Sequence, residues 1–256
     1  MAPRGLAVII GAGPTSGGGI ARFLATQGNL AVAVLARNEE NLKQLCQTIR
    51  TSTQSGSTPV VEAFPTDTSP ESLSRTFQAI ASHQAFHGLK LRLAIYHVKH
   101  SSKEPFLDTK PEDFSKSLHT YTTGAFAFAQ ESVRLMYAQN GGQTLLADTQ
   151  GAKKGTVIFT GTLGALRTNA EYAAYGATRS AARSVVQALA KETSKYGIHA
   201  VHAVANGPIR DEDSEETRTG ARMSATAVGA EYLHLMEQSP ALWTHELDLR
   251  PAQEKF

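Results

Sequence analysis

The stretch that decides the fold runs from Leu6 to Ala21 and reads LAVIIGAGPTSGGGIA. Its first five residues, Leu6–Ile10, are apolar and rich in aliphatic side chains, which predicts a short buried strand. A glycine-rich turn, Gly11–Gly19, follows directly and leads into a helical pattern from Ile20. A strand, a glycine-rich turn and a helix in this order predict the first unit of an alternating α/β fold.

The rest of the chain continues the alternation. Further strands are predicted at Leu30–Ala36, Val60–Phe64, Leu91–Tyr96, Thr156–Thr160, Ile198–Val204 and His245–Leu249. Helices are predicted between them at Ile20–Gln27, Glu39–Arg50, Pro70–Ser82, Pro111–Tyr137, Glu171–Tyr196 and Ala225–Gln238. Because crossovers between parallel strands are right-handed and cover both faces, we expect a Rossmann-type, doubly wound parallel sheet in one domain over residues 1–256. Ligands bind beyond the carboxyl ends of the strands in such a sheet.

Composition narrows the classes of partner. The 256 residues are 41% hydrophobic and 19% charged, which is typical of a globular chain, and the formal net charge is only +2. Because no basic block is present, we expect a small-molecule partner and neither nucleic acid nor a membrane surface. The single cysteine, Cys46, excludes a disulfide within the chain and a cysteine-based zinc site, and no metal site is predicted. The first apolar run, Leu6–Ile10, is too short for a signal segment or a membrane span, so a cytoplasmic protein is expected.

The glycine-rich turn is the first candidate binding site. Glycines allow a tight turn and a close approach of the backbone to a pyrophosphate, and the start of the next helix favours negative charge. A flexible turn without a ligand is the alternative. The position of the turn, directly after the first strand of an alternating chain, favours a dinucleotide-binding loop.

The end of the second predicted strand indicates which dinucleotide. An acidic residue at this place commonly bonds the ribose hydroxyls of NAD, and this chain instead has Ala36 followed by Arg37. A guanidinium can bind a 2′-phosphate in a bidentate manner, so NADPH or NADP⁺ is expected. Arg37 could alternatively be a solvated residue at the strand end. Asp67, beyond the third strand, could accept a hydrogen bond from adenine or belong to the start of the next helix.

A candidate catalytic pair follows the fifth predicted strand. Thr162 lies at the end of that strand, and Tyr175 and Arg179 lie one turn apart on the following helix. A phenol is a poor acid near neutral pH unless a permanent cation lies close to it. Thr162 could hold a substrate oxygen while Tyr175 passes a proton to it. Spacing alone leaves open the alternative that Tyr175 and Arg179 only pack on one helix face.

Taken as a set, these motifs resemble the short-chain dehydrogenase/reductase family over nearly the whole chain. Gly13, Gly17 and Gly19 fit the family's Gly-x-x-x-Gly-x-Gly pattern. Tyr175 fits its Tyr-x-x-x-Lys pattern and follows Thr162 at the family's usual distance from the catalytic serine. The resemblance implies a cofactor site formed by Gly11, Gly13, Ser16, Gly17, Gly19, Ile20, Arg37, Asp67, Thr68, Tyr96, Arg179, Gly207 and Ile209.

The chain departs from the family at three of the four catalytic positions. The resemblance implies Tyr175, Thr162, Arg179 and Tyr121 as the catalytic set, where the family usually has Tyr, Ser, Lys and Asn. Thr162 keeps the hydroxyl group, and Arg179 keeps the charge but cannot shuttle protons. Tyr121 cannot reproduce the water site that the family's Asn organises, which puts the usual proton relay in doubt.

Two further segments bear on the predicted site. The family's Asn-Asn-Ala-Gly after the fourth strand is replaced by residues 96–99, Tyr-His-Val-Lys. His97, Lys99 or His100 could supply a substitute proton donor, or could face solvent or fill space. The charged segment Asn206–Met223 is predicted as a substrate lid, with a plain solvated loop as the alternative. Part of the pocket wall is expected to be apolar, from Ile209, Met223, Tyr232 and Trp243.

The expected function is an NADPH-dependent oxidoreductase that transfers hydride to a C=O, C=N or activated C=C bond of a small organic molecule. Two alternatives remain: a non-redox enzyme such as an isomerase, dehydratase or cyclase with bound NADP(H), and a cofactor-binding regulatory protein on the same fold. The resemblance also implies a homodimer or homotetramer, formed through the long helices Pro111–Tyr137 and Glu171–Tyr196.

Overall fold

The computed structural model describes residues 2–52, 58–100 and 103–254 and confirms a Rossmann-type α/β fold. Its strands are β1 (Leu6–Ile10), β2 (Ala31–Ala36), β3 (Val61–Pro65), β4 (Leu91–Tyr96), β5 (Gly155–Gly161), β6 (Ile198–Ala205), β7 (Ile209–Arg210), β8 (Met223–Ser224) and β9 (Glu246–Leu249). Seven of them form one parallel sheet in the order β3-β2-β1-β4-β5-β6-β9. The strand order reverses beside β1, which opens a crevice at the carboxyl ends of β1 and β4.

Helices cover both faces of this sheet. They are α1 (Gly17–Thr26), α2 (Glu39–Thr51), α3 (Pro70–Ser82), α4 (Pro111–Leu118), α5 (Gly124–Gln139), α6 (Ala173–Thr193), α7 (Glu215–Thr219) and α8 (Ala225–Glu237). Strand β1 shows why two layers form: Leu6, Val8 and Ile10 enter the core beneath α3, α5 and α6, whereas Ala7 and Ile9 enter the core beneath α1, α2 and α8. A strand buried on both faces has to be apolar throughout, as the sequence of β1 is. None of the helices in the described ranges is long and apolar enough to cross a membrane.

The observed helices differ from the predicted ones in two informative places. Helix α1 begins at Gly17, three residues before its predicted start, because Gly17–Gly19 are already helical and buried. The predicted helix Pro111–Tyr137 is two α-helices, α4 and α5, joined by a π-helical turn at His119–Thr123. Single π turns inside α-helices frequently occur at functional sites, and this one contains Tyr121.

The predicted lid, Asn206–Met223, has more regular structure than a loop. Strands β7 and β8 pair with each other, and α7 begins with a capping box between Ser214 and Thr217. The segment is joined to α1 by a two-pronged ion pair, in which the Arg22 guanidinium lies 2.6 and 2.8 Å from the carboxylate oxygens of Asp211. The segment is therefore partly ordered by its own hydrogen bonds and by α1, and its role as a substrate lid stays a prediction.

Candidate active site

Two clefts and a pocket meet at the carboxyl ends of the strands. We call the first the loop cleft; it has a volume of about 470 Å³ and is lined by Gly11, Gly13, Arg37, Asp67 and Thr68 among others. The second, the tyrosine cleft, has a volume of about 330 Å³ and includes Ser16, His97, Tyr121, Thr162, Tyr175, Arg179, Gly207 and Ile209. The outer pocket, of about 440 Å³, shares Thr162 and Tyr175 with the tyrosine cleft. The two clefts share residues 98–100, so together they form one continuous groove.

The glycines of the loop serve two different purposes. Gly11 has a φ of +89°, and a side chain there would collide with the backbone of His97. Side chains at Gly17 and Gly19 would collide with Gly11 and with the Asp211 carboxylate, so these two glycines allow α1 to pack closely. Gly13 is different because the space beside it is open and it lines the loop cleft. Gly13 is thus the position at which a ligand could approach the backbone.

Two residues of the predicted cofactor set have side chains that point into the core. Ile20 is fully buried beneath α1, where it packs with the apolar residues of that layer. Tyr96 is 1% exposed, and its hydroxyl donates to the backbone oxygen of Tyr121 at 3.0 Å. Neither residue lines the two clefts. The alternation of the apolar strand and helix directs both side chains inward, so a cofactor contact at these two positions would have to come from backbone atoms.

The far end of the loop cleft brings Arg37 and Asp67 together. Arg37 is exposed, and within the described residues no acidic group pairs with it. The Asp67 carboxylate accepts hydrogen bonds from the Ser69 hydroxyl and backbone N–H, which lower its pKa. Asp67 therefore helps to start α3, which was the second of the two interpretations of its sequence position, and it also lines the loop cleft. The Thr68 hydroxyl donates to the Thr120 carbonyl at 2.8 Å and holds the π turn against this edge.

At the other end of the groove, the structure brings the candidate catalytic pair together. The Tyr175 hydroxyl donates to Thr162 Oγ1 at 2.7 Å. The turn after β5 positions Thr162, and the first turn of α6 positions Tyr175. Gly164 has no side chain, which leaves room for the Tyr175 ring. Both groups face the tyrosine cleft and the outer pocket, so one substrate oxygen could contact both hydroxyls.

Arg179 lies between two aromatic rings. Its guanidinium carbon is 3.7 Å from the ring centre of Tyr121 and 4.2 Å from that of Tyr175. The side chain is 3% exposed, and it donates to Thr178 Oγ1 at 3.0 Å and to the carbonyl oxygen of His100. Its Nε–H is buried without a partner in the described residues. A cation held in this way can stabilise negative charge on the Tyr175 oxygen.

The structure gives Tyr121 a different role from proton transfer. Its hydroxyl donates to the carbonyl oxygen of Thr160 at 3.3 Å, and burial raises the pKa of this phenol. Its ring, 3% exposed, forms one side of the Arg179 sandwich. Tyr121 is therefore placed to position Arg179, and its hydroxyl is used by the fold.

Of the three candidate substitute donors, neither histidine has the character of a free acid in the cleft. Burial lowers the pKa of His97 to about 4, and both of its ring nitrogens have hydrogen-bond partners. His100 contacts the Ser117 hydroxyl at 3.0 Å, and burial together with nearby cations lowers its pKa as well. Lys99 is exposed at the edge of the groove. Tyr175 remains the hydroxyl donor best placed beside Thr162.

The outer pocket is more polar than the sequence suggested. Of the four residues expected to give apolar walls, Met223 and Tyr232 are buried and Trp243 stacks on His199 away from the site, which leaves Ile209. The residues found instead carry hydroxyl, amide and guanidinium groups: Thr162, Arg167, Thr168, Asn169, Tyr172, Tyr175 and Asn206. Sequence reasoning missed most of them, because only their position in loops at strand ends marks them.

Comparisons with known proteins agree with this geometry. The family model described as short chain dehydrogenase matches residues 5–221. A short-chain dehydrogenase from Rhodopseudomonas palustris is similar in structure, with a TM-score of 0.76, 25% identity, and coverage of 97% of this chain and 99% of the other.

No curated protein sequence matches the chain. Two further solved structures show the same fold at lower identity. An alcohol dehydrogenase from the archaeon Thermococcus sibiricus, complexed with 5-hydroxy-NADP, has a TM-score of 0.78 at 16% identity and 98% coverage of both chains. A metagenomic short-chain oxidoreductase in complex with NADP has a TM-score of 0.76 at 17% identity, with 98% of this chain and 99% of the other covered. The family model matches most of this chain, and the Tyr175–Thr162 pair lies where the resemblance places it. The chain therefore belongs to the short-chain dehydrogenase family.

Proposed function

We propose that the protein is an NADP(H)-dependent oxidoreductase that reduces a C=O, C=N or activated C=C bond of a small organic molecule. The observation that carries the proposal is the Tyr175–Thr162 hydrogen bond at 2.7 Å, with the Arg179 cation stacked on the same tyrosine. This group of three opens on one side to the groove and on the other to the outer pocket. A reducing cofactor and a substrate could therefore reach it from two directions.

The residues of the groove fit a nicotinamide dinucleotide phosphate. Gly13 leaves open space for a phosphate, and the buried Nε–H of Arg179 has no partner among the described residues. Arg37 supplies an exposed cation for a 2′-phosphate, and it forms no ion pair among the described residues. The NADP and 5-hydroxy-NADP complexes of the two structural neighbours agree with this choice. NADPH, when bound, supplies the hydride.

The chain's own residues would complete the reduction at the other atom of the double bond. For a carbonyl substrate, carbon gains the hydride and oxygen gains the Tyr175 proton, so charge and atoms balance. Thr162 holds the same oxygen through its hydroxyl group, and Arg179 stabilises the phenolate left on Tyr175. Solvent then returns a proton to Tyr175. General acid catalysis of this kind contributes about 100-fold or more to a rate.

The test is deuterium transfer from NADPH labelled at C4. The protein is incubated with the labelled NADPH and a panel of carbonyl, imine and enone compounds, and label in the product is measured by mass spectrometry. We expect label with the wild type and a loss of about 100-fold in rate for Tyr175→Phe, which keeps the ring against Arg179 but lacks the proton. Thr162→Ser is the matched control because it keeps the hydroxyl and should retain most of the rate.

The same experiment separates the alternatives. Tight NADPH binding with no transfer to any compound of the panel would favour the non-redox enzyme. This alternative is motivated by Tyr121, whose hydroxyl is directed into the backbone of β5 where the family has an amide. A function that depends on NADPH binding and survives Tyr175→Phe unchanged would favour the regulatory protein.

A further inference from the structure

Four polar side chains form a continuous chain from the glycine loop into the core. Ser16 Oγ lies 2.8 Å from His97 Nε2, and His97 Nδ1 lies 2.9 Å from Thr160 Oγ1. Thr160 Oγ1 in turn lies 2.7 Å from the hydroxyl of Tyr232, which is fully buried on α8. The chain crosses from the first glycine loop through β4 and β5 to the last long helix. We call it the serine-to-tyrosine chain.

The hydrogen-bond arrangement of the chain depends on which nitrogen of His97 holds the proton. Burial keeps the His97 ring neutral at neutral pH, so it has one N–H donor and one acceptor nitrogen. If Nε2 holds the proton, Thr160 donates to Nδ1 and Tyr232 donates to Thr160. If Nδ1 holds the proton, Thr160 Oγ1 accepts from it, and either Thr160 donates to Tyr232 or Tyr232 donates to Thr160.

The buried end decides between the two. With the proton on Nδ1, one O–H of the Thr160–Tyr232 pair has no acceptor, because the described residues give the Tyr232 hydroxyl no partner except Thr160 and the Thr160 hydroxyl none besides His97 and Tyr232. An unsatisfied buried donor costs about 1 to 3 kcal/mol. If the chain points outward, Tyr232 donates to Thr160, Thr160 donates to His97 Nδ1, and His97 Nε2–H donates to Ser16 Oγ. Every buried donor then has an acceptor.

The outer end of the chain lies where an anion would bind. Ser16 is the N-cap residue of the ten-residue helix α1, yet its side chain makes no capping hydrogen bond. It lines the tyrosine cleft, close to the loop cleft that begins at Gly11 and Gly13. Arg179, whose side chain is 3% exposed and whose buried Nε–H has no partner among the described residues, lines the same cleft. With its oxygen occupied by the His97 N–H, the Ser16 hydroxyl hydrogen is free for a ligand.

We propose that the serine-to-tyrosine chain points outward and fixes Ser16 as a hydrogen-bond donor to the phosphates of the dinucleotide, which makes Tyr232, Thr160 and His97 positioning residues for cofactor binding. The inference rests on the proposed cofactor. It predicts that Tyr232 affects phosphate binding although its side chain is fully buried in the α8 layer.

The first test is the tautomer of His97 in the protein without ligand, measured by ¹⁵N NMR with His97→Gln used for assignment. We expect the proton on Nε2. A proton on Nδ1 would mean that Ser16 donates inward, and it would overturn the proposal whatever the protein binds.

The second test is a double-mutant cycle on the dissociation constant for NADPH, read by fluorescence titration. A charge-assisted bond predicts about tenfold weaker binding for Ser16→Ala, and loss of one neutral bond predicts about threefold for Tyr232→Phe. Because Tyr232 acts only through Ser16, the double variant should bind like Ser16→Ala alone. Tyr137→Phe, which also removes a buried phenol hydroxyl but far from the chain, is the matched control and should combine additively.

The outcomes separate the two proposals. Additive effects of Ser16→Ala and Tyr232→Phe, with both variants folded, overturn the positioning role while the proposed function stands. Failure of the folded wild type to bind NADPH overturns the proposed function, and the phosphate-donor role of Ser16 with it.

Discussion

At the residue scale, the changes at Tyr121 and Arg179 belong together. A guanidinium is flat and stacks on aromatic faces, whereas a lysine ammonium is a compact and strongly hydrated charge. The Tyr121 ring lies 3.7 Å from the Arg179 guanidinium carbon and fills one side of the sandwich, with Tyr175 on the other. The tyrosine at the family's asparagine position therefore supports the arginine at its lysine position.

This pairing predicts an unusual response to restoring the family's residue. Arg179→Lys alone should lower kcat/KM by about tenfold, because the ammonium loses the stacking on both rings and the bond to the His100 carbonyl. The double variant Tyr121→Asn with Arg179→Lys should recover part of the loss. Steady-state reduction with NADPH measures both. Full activity in Arg179→Lys alone would show that the stacking has no part in catalysis.

The polar outer pocket leads to a second prediction at this scale. Arg167 lines the same pocket as Tyr175 and has no ion-pair partner in the described residues, and the lining contains no carboxylate. Arg167→Gln should raise KM about tenfold for a keto acid and leave KM for its methyl ester nearly unchanged, because only the acid carries a charge for the guanidinium. Equal effects on acid and ester would assign Arg167 a role other than charge recognition.

At the element scale, the segment from Asn206 to Met223 is fixed to α1 by one ion pair. The side chains of Arg22 and Asp211 are 31% and 21% exposed, and the Asp211 carboxylate also packs against Gly19. The same α1 carries the glycine loop at its start. The segment is therefore joined directly to the helix that borders the groove.

Asp211→Asn should loosen this segment. We expect faster amide hydrogen exchange over 206–223 and little change in the central sheet, because the neutral amide loses the two-pronged interaction with Arg22. Asp213→Asn is the control: its pair with Arg218 is largely exposed and should contribute little. Identical exchange in the two variants would mean that other contacts hold the segment.

At the scale of the whole molecule, buried histidines make the fold sensitive to acid. His199 is fully buried, donates or accepts at both ring nitrogens, and stacks on Trp243. Burial, with the nearby Lys153 charge, lowers its pKa to about 4. In the unfolded chain the pKa returns to its usual value near 6.5.

The sign of the effect follows from proton binding. Between about pH 6.5 and 4 the unfolded chain holds a proton on His199 that the folded chain does not, so stability falls as pH falls through this window. The loss from this residue should be about 3 kcal/mol between pH 7 and 4. Urea unfolding at a series of pH values measures it. His199→Gln should flatten the profile, whereas substitution of the exposed His87 by Gln should not.

The proposed oligomer can also be tested at this scale. Phe126 is an apolar residue of α5 that is 49% exposed, on one of the two long helices through which we propose that the subunits associate. Phe126→Glu should shift the protein to a monomer in light scattering at low micromolar concentration, because a buried unpaired charge opposes association. The exposed Leu242→Glu, away from this helix, is the control. An unchanged mass in Phe126→Glu would place the interface elsewhere or exclude it.

The sequence by itself determined the alternation of strands and helices, the glycine loop, and the pairing of Tyr175 with Thr162. These features depend on local patterns: an apolar strand buried on both faces, glycines where a side chain would collide, and two motifs at a fixed spacing. The doubly wound parallel sheet also followed, because right-handed crossovers leave few alternatives, whereas the order of the strands came from the structure.

Only the tertiary structure decided what the altered residues do. The Arg179 sandwich joins Arg179 to Tyr175, four positions away, and to Tyr121, 58 positions away. The serine-to-tyrosine chain joins four different parts of the sequence. Tyr96 and Ile20 lie within motifs that touch the groove, yet their side chains are buried. A motif specifies where the backbone passes, but the direction of each side chain and its hydrogen-bond partners depend on packing between elements that are distant in sequence.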